Sequence, residues 1–282
     1  METNDKLKQE RDAAWRKELR GKIKNKDRTN MERVKMPEAD PTDRSRSYVE
    51  VNSGLTTEQA VAEAQRCLDC ANPTCIQGCP VEINIPKFIK NIERGEFLEA
   101  AKVLKESNAL PAVCGRVCPQ EKQCEANCFY TQKLQKPAIA IGYLERFAAD
   151  YEIDSGQISL PDKAPARNIK VACIGSGPAG LAFAGDMAKM GYEVTVFEAL
   201  HEIGGVLKYG IPEFRLPNKV VDIEIENLRK LGVQFETNFI VGKTASIEDL
   251  REEGFEGFFA GSGAGLPRFM GIPGENLVGV LS

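Results

Sequence analysis

Eight of the nine cysteines in this 282-residue chain lie between Cys67 and Cys128, in two groups of four. The first reads Cys67-x-x-Cys70-x-x-x-x-Cys75-x-x-x-Cys79-Pro80. The second reads Cys114-x-x-x-Cys118-Pro119, then Cys124-x-x-x-Cys128. Gaps this short let one loop wrap several thiolates around one centre. The N-terminus is polar and charged rather than a signal peptide, so the chain reads as cytoplasmic. In a reducing compartment, clustered cysteines are poor disulfide candidates and better metal or redox groups. The single histidine, His201, argues against mixed Cys/His zinc sites and leaves little scope for histidine acid–base chemistry. No residue is singled out as a catalytic acid, base or nucleophile.

A Cys-Pro step ending a cysteine run is typical of two-cluster bacterial ferredoxins, where the cysteine before proline ligates the other cluster. By that logic Cys79 crosses over to the second group. The competing reading is a pair of Cys-only structural zinc sites, for which Cys-x-x-Cys pairs are common. Zinc carries no electrons, so a flavin domain in the same chain would favour iron–sulfur clusters. The formal net charge of -4 provides no strong field for nucleic acid or an anionic membrane. No apolar run approaches the roughly 20 residues that span a bilayer.

Residues 1–50 are dense in Lys, Arg, Glu and Asp, and read as a charged extension with marginal structure. One short amphipathic helix around Ala13, Ala14, Trp15 and Leu19 is the exception, and the extension alternatively reads as an arm for a partner subunit. Residues 51–155 read as a helical domain. Thr56 with Gln59 resembles a capping box, and Ala60, Val61, Ala64 and Leu68 follow at helical spacing. Pro86 opens a second helix with Phe88, Ile89 and Ile92 as its stripe, and Gly95 ends it. Phe97, Ala100, Ala101, Val103 and Leu104 mark a third, which Leu110-Pro111 terminates. A further helix is expected over 138–151. Residues 156–168 read as a linker.

From Ile169 the period changes. Lys170-Val-Ala-Cys-Ile174 and Glu193-Val-Thr-Val-Phe197 read as strands flanking a glycine loop and an alanine-rich helix. This βαβ unit predicts an α/β domain with a parallel sheet over 169–282. In Gly175-Ser176-Gly177-Pro178-Ala179-Gly180, the first glycine permits the tight turn and the second lets backbone approach a pyrophosphate. The third, Gly180, allows close helix–strand packing. The phosphates would sit at the helix N-terminus, and Glu198 at the end of the second strand would take ribose hydroxyls. An acid there disfavours a 2′-phosphate. Gly204-Gly205 reads either as a plain turn or as backbone passing close to a second part of the ligand. Cys173, flanked by Val171 and Ile174, reads as a buried small hydrophobe.

Several segments together resemble one family: Glu63-Ala-x-Arg66-Cys67-Leu-x-Cys70, Gly78-Cys79-Pro80-Val81, and Leu110-Pro-Ala-Val-Cys114-Gly-Arg-Val-Cys118-Pro-Gln120. To these are added Gly204-Gly205, Tyr209-Gly-Ile-Pro212 and Phe214-Arg-Leu-Pro217. The family is that of the NADPH-dependent glutamate synthase small (beta) subunit. It includes the large subunit of NADH-dependent reduced ferredoxin:NADP oxidoreductase and the N-terminal region of dihydropyrimidine dehydrogenase. The resemblance implies an α-helical two-cluster ferredoxin-like domain followed by a Rossmann-like FAD domain. It also implies two [4Fe–4S] clusters, FAD, and a second dinucleotide domain taking hydride from NADPH. One cluster would be held by Cys67, Cys70 and Cys75, with Glu145 or else Cys114 as fourth ligand. The other would be held by Cys79, Cys118, Cys124 and Cys128. FAD contacts would extend beyond the glycine loop and Glu198 to Gly204, Gly205, Leu207, Arg215, Val241 and Gly263.

The resemblance implies an electron-transfer oxidoreductase subunit that exchanges electrons with a second redox subunit. That partner would be a glutamate synthase large subunit or a smaller flavoprotein. Only the FAD fingerprint is present, so the sequence reads as truncated before the NADPH domain, with an incomplete FAD domain. Ala260-Gly261-Ser262-Gly263 also replaces the Ala-Thr-Gly usual at that strand end. The alternative expectation is a non-enzymatic iron–sulfur relay or docking module whose FAD domain does not function.

Overall fold

The computed structural model describes residues 2–265 and 268–280. Helices fill its first half and a parallel sheet fills its second. Before residue 170, the strand-like pairing among the described residues is one isolated bridge between Glu38 and Asn52.

The helix Thr57–Gln65 begins at the expected capping box, in which Thr56 accepts from Gln59 N and the Gln59 side chain returns to Thr56 N. Asn84 caps helix Ile85–Glu93, Pro86 sits in its first turn, and Phe88, Ile89 and Ile92 are buried. Gly95, at φ +86°, separates it from helix Phe97–Ser107. These helices share one core with Ile141–Ser155, centred on Phe88, Leu104, Leu144 and Ala148.

Pro111 does more than end a helix. It opens a further short one, Pro111–Val117, because a proline in the first turn lacks only an N–H that would have no helical partner. Leu110 and Val113 pack into the core of the sheet half. Gly115 faces helix Ile141–Ser155, where an added Cβ would lie 2.5 Å from Arg146 N. This helix therefore wedges between the two halves and needs a glycine to do so.

The N-terminal segment departs from expectation. Residues read as marginally structured form helices Glu2–Arg11, Ala14–Lys22 and Asn25–Arg28. Arg16, Leu19 and Arg28 are buried in the helical domain. Composition fails here because a dense charge run is solvated only when it finds no buried counter-charges, and these arginines find Asp69 and Glu93.

The sheet holds β1 (Lys170–Ile174), β2 (Glu193–Phe197), β3 (Gln234–Glu236) and β4 (Phe255–Ala260). All pairings are parallel, in the order β3-β2-β1-β4. Helices Pro178–Lys189 and Asn218–Lys230 cover one face through Leu181, Ala184, Val221 and Leu228. Phe197, Leu250 and Phe255 gather on the other face. The chain leaves β1 toward β2 on one side, while β4 returns on the other. That places the crevice at the carboxyl end of β1, where ligands bind in open α/β sheets. The segment 156–169 has no regular structure but is tied down by Lys105 Nζ to Ser159 O at 2.9 Å and Ala164 N to Lys189 O at 2.7 Å. No helix among the described residues is long and apolar enough to cross a membrane.

Candidate functional site

Four thiols line one apolar pocket: Cys67, Cys70, Cys75 and Cys128, with Ile85, Ile89, Phe129, Tyr130, Ile139 and Ile141 around them. Burial and mutual repulsion act together on these groups. Burial first, then the neighbouring Cys67 and Cys128, push the Cys70 thiol up to about 12. Cys75 is driven well above the usual thiol range by burial, then by Cys67 and Cys128. Burial also raises Cys67, opposed chiefly by the Lys90 ammonium. Lys90 Nζ donates to Cys67 O at 2.6 Å and pairs with Glu93.

The second group lies where helices Pro111–Val117 and Ile141–Ser155 approach. Cys124 is raised by burial, then by Glu145, Glu125 and Cys79. Cys79 is raised by burial, and Glu145 and Cys118 add to this. Cys118 is lowered because the Cys114 thiol donates to it. Glu145 is buried and pushed up to about 8 by desolvation, then by Cys118. Asn108 orients it, with Nδ2 donating to Glu145 Oε1 at 2.9 Å, while Asn108 Oδ1 accepts from Leu110 N at 3.0 Å. Cys114 stands beside this pair, its sulfur 3.6 Å from Asn108 Oδ1.

The structure groups these side chains differently from the expected ligand sets. Cys128 joins Cys67, Cys70 and Cys75, and Glu145 joins Cys79, Cys118 and Cys124. Packing decides this. Tyr130, two residues after Cys128, reaches both Arg28 O at 2.9 Å and Arg66 O at 2.8 Å, which draws Cys128 toward the first loop. Reciprocity was the available signal: if Cys79 leaves its group, one cysteine of the other group must return.

The structure also gives the Glu63-x-x-Arg66 motif a purpose. Glu63, fully buried, accepts from Val34 N and Ala140 N, each at 2.8 Å, and pairs with Arg66. Arg66 donates to Ala138 O at 3.0 Å and Pro137 O at 2.8 Å. The pair thus ties the helix before Cys67 to the segment that leads into the Glu145 helix. Asp69, Asn108 and Glu125 were missed from sequence, since a lone polar residue between cysteines carries no periodic signal.

Buried and half-buried soft thiols gathered in fours, with one carboxyl among them, fit an iron–sulfur core in their chemistry. Without a cation, burial favours the protonated forms of Cys67, Cys70, Cys75, Cys79, Cys124 and Glu145, whereas a cluster binds its ligands as anions. Among the described residues, no three His, Cys, Asp or Glu side chains converge closely enough to hold a single metal ion.

In the sheet half, the glycine loop sits at the crevice. Gly175 has φ +98°, and a Cβ there would lie 2.5 Å from Gly261 O. A Cβ on Gly180 would lie 2.0 Å from Gly175 O, so helix and strand touch here. A Cβ on Gly177 meets nothing within 4 Å, which leaves open space in front of the loop. Gly177 is also the N-cap of helix Pro178–Lys189, with no side chain capping it, and Pro178 and Ala179 are exposed. Gly205 passes against Gly177, with its built Cβ 2.8 Å from Gly177 Cα. Open space before an uncapped helix start fits an anionic dinucleotide.

Glu198 is nearly buried and accepts from Ser176 N and Leu200 N, each at 2.9 Å, and from Ser176 Oγ. A carboxylate has about four acceptor positions, so capacity for a further donor remains. Arg215 lines one cleft with Phe214, Arg116 and Cys118, between the two halves. The two apolar residues among the expected contacts pack their side chains inward. Leu207 is buried in the core beside Leu181 and Val221, and Val241 packs against the small core of Phe197 and Leu250. Apolar side chains followed the core rather than the crevice. Gly263, at φ +73°, lies past the end of β4 and is exposed. Cys173 is fully buried in the core, as a small hydrophobe would be.

Helical cysteine domain and parallel-sheet dinucleotide fold together define an iron–sulfur protein with a Rossmann-like domain. Residues 44–157 match the family described as dihydropyrimidine dehydrogenase domain II, 4Fe-4S cluster. Residues 173–233 match the NAD(P)-binding Rossmann-like domain. The chain is a homologue of the small chain of NADPH glutamate synthase and of the dehydrogenase subunit PreT. It is 41% identical over 224 residues to the NAD-dependent dihydropyrimidine dehydrogenase subunit PreT of Escherichia coli K12, covering 78% of this chain and 53% of that protein. It is 36% identical over 253 residues to the E. coli K12 glutamate synthase [NADPH] small chain, covering 89% of this chain and 52% of that one. The corresponding small chain of Halomonas elongata is 37% identical over 245 residues, covering 86% and 51%. The chain spans about half the length of the curated relatives it matches.

Proposed function

We propose that this chain is part of an electron-transfer flavoprotein subunit of an NADPH-dependent oxidoreductase, similar to the glutamate synthase small subunit. When bound, FAD and two [4Fe–4S] clusters supply the chemistry: hydride exchange with NADPH in the complete protein and one-electron transfer with a partner redox subunit. Cys67, Cys70, Cys75 and Cys128 hold the first cluster. Cys79, Cys118, Cys124 and Glu145 hold the second, with Cys114 as a neighbour donating to Cys118 rather than a ligand. Asn108 aims Glu145, and burial keeps water from Cys67, Cys124 and Cys128. Gly175, Ser176, Gly177, Pro178, Ala179 and Gly180 cradle the pyrophosphate, and Glu198 accepts from the ribose. Gly204 and Gly205 pass beside the ligand, and Arg215 lies in the cleft toward Cys118.

The observation that carries this reading is that cleft. Cys118 of the cluster half and Arg215 of the dinucleotide half line the same opening. A relay needs such adjacency, whereas two structural zinc sites do not. The test is anaerobic reconstitution of the chain with iron, sulfide and FAD. Iron and sulfide in equal amounts, a broad visible absorbance and bound flavin are expected. Stoichiometric zinc with no colour would sink the cluster assignment. Iron without flavin would leave only the relay module.

A further inference from the structure

Asp69 lies inside the Cys67-x-x-Cys70 loop, fully buried, with a left-handed backbone at φ +51°. Aspartate is tolerated there better than most side chains, but the conformation persists only when its surroundings impose it. Three arginines do so, all from the N-terminal helices. Arg16 meets the Asp69 carboxylate through Nε, at 3.3 Å, and Nη2. Arg20 Nη1 meets the same carboxylate, and Arg11 Nε donates to Asp69 O at 2.8 Å. Arg28 and Lys90 reach Cys67 O at 3.4 and 2.6 Å, and both pair with Glu93. Arg16, Arg28 and Lys90 are essentially buried, so these are not solvated surface pairs.

We propose that the N-terminal segment is a clamp acting within the chain, with Asp69, Arg16 and Arg20 as positioning residues for the Cys67–Cys70 loop. It rests on the reading of Cys67, Cys70, Cys75 and Cys128 as one cluster's ligands. The buried Asp69 charge is tolerable only with its arginines in place, so the loop takes its ligating shape when the arm is docked. The same charges act on the potential of the cluster, because a nearby cation favours the more negative reduced state. Removing Asp69 and removing its arginines therefore shift that potential in opposite directions, which a purely structural contact would not do.

The test uses the full chain, reconstituted anaerobically, with Asp69→Gly, Asp69→Asn and the double variant Arg16→Met/Arg20→Met. Asp69→Gly relieves the backbone but releases the arginines. It and the double variant should keep about half the wild-type iron, that of the second cluster alone. Asp69→Asn retains an acceptor and should keep part of the first cluster at a raised potential. Any first cluster in the double variant should have a lowered potential. The clamp is overturned if all three variants load both clusters at wild-type potentials. A wild-type chain that takes up no iron would overturn the cluster reading instead. Hydrogen exchange of the iron-free protein then decides the clamp, with amides 65–72 expected to exchange at least about tenfold faster in Asp69→Asn. Equal protection would overturn it, and this mild variant also settles the matter should the double variant fail to fold.

Discussion

The two halves of this chain build their candidate sites from opposite materials. In the helical half the site consists of side chains, brought from the 67–79 loop, the 111–128 region and helix Ile141–Ser155. Buried ion pairs such as Glu63–Arg66 and Arg28–Glu93 brace the backbone behind them. In the sheet half the site is mostly backbone, placed where side chains are missing, within one strand–turn–helix. A site of side chains is lost one ligand at a time, whereas a site of backbone is lost when an atom is added.

The largest effect expected from this contrast is at Cys128. Cys128→Ser should abolish the first cluster and leave the second, halving bound iron and removing one of two electron paramagnetic resonance signals. If the second signal disappears instead, the partition made by the fold is wrong. Next comes Gly180→Ala, whose methyl would fall 2.0 Å from Gly175 O. It should cost about 1–3 kcal/mol by overpacking and release FAD, seen as a lower thermal midpoint and free flavin after gel filtration. Gly177→Ala sharpens the comparison, because its methyl meets no protein atom within 4 Å. Its thermal midpoint without cofactor should stay at the wild-type value while FAD affinity falls roughly tenfold, about 1.4 kcal/mol. Unchanged affinity would show that no ligand approaches this loop.

A further effect, spread over a pH range, concerns the join between the halves. Glu224, on helix Asn218–Lys230, accepts from Ala112 N at 2.7 Å, in the first turn of helix Pro111–Val117. Burial raises its carboxyl to about 7 from 4.5, against the opposing hydrogen bond from Ala112. The folded state thus binds more protons than the unfolded chain between those values. Stability should fall as pH rises through that window and level off above it. Glu145 in the iron-free protein acts in the same direction up to about 8. Urea midpoints of the iron-free chain at successive pH values should show this slope, and Glu224→Gln should remove the part ending near 7. An unaltered slope would exclude Glu224 as its source.

Much of the sheet half was legible because its signals are local. The strand ends, the tight turn at Gly175, the close packing at Gly180 and the burial of Cys173 follow from residues a few positions apart, where backbone geometry leaves few choices. Sequence left open whether Leu207 and Val241 turn toward core or crevice, and in the structure their side chains pack in the core. In the helical half, capping at Thr56 and the stripe of Phe88, Ile89 and Ile92 were equally local. Helix Pro111–Val117 was not, since its apolar face matches the sheet half rather than its own neighbours.

Sequence by itself determined which residue types could serve: eight clustered thiols, a glycine loop after a strand, and an acid at the end of the next. Those follow from spacing, because short-range geometry fixes what a loop or turn permits. Only the tertiary structure decided that Cys128 stands with Cys67, that Glu145 faces Cys79, and that the N-terminal arginines are buried on Asp69. Each joins segments far apart in the chain, so it depends on which core the intervening helices fill rather than on any local pattern.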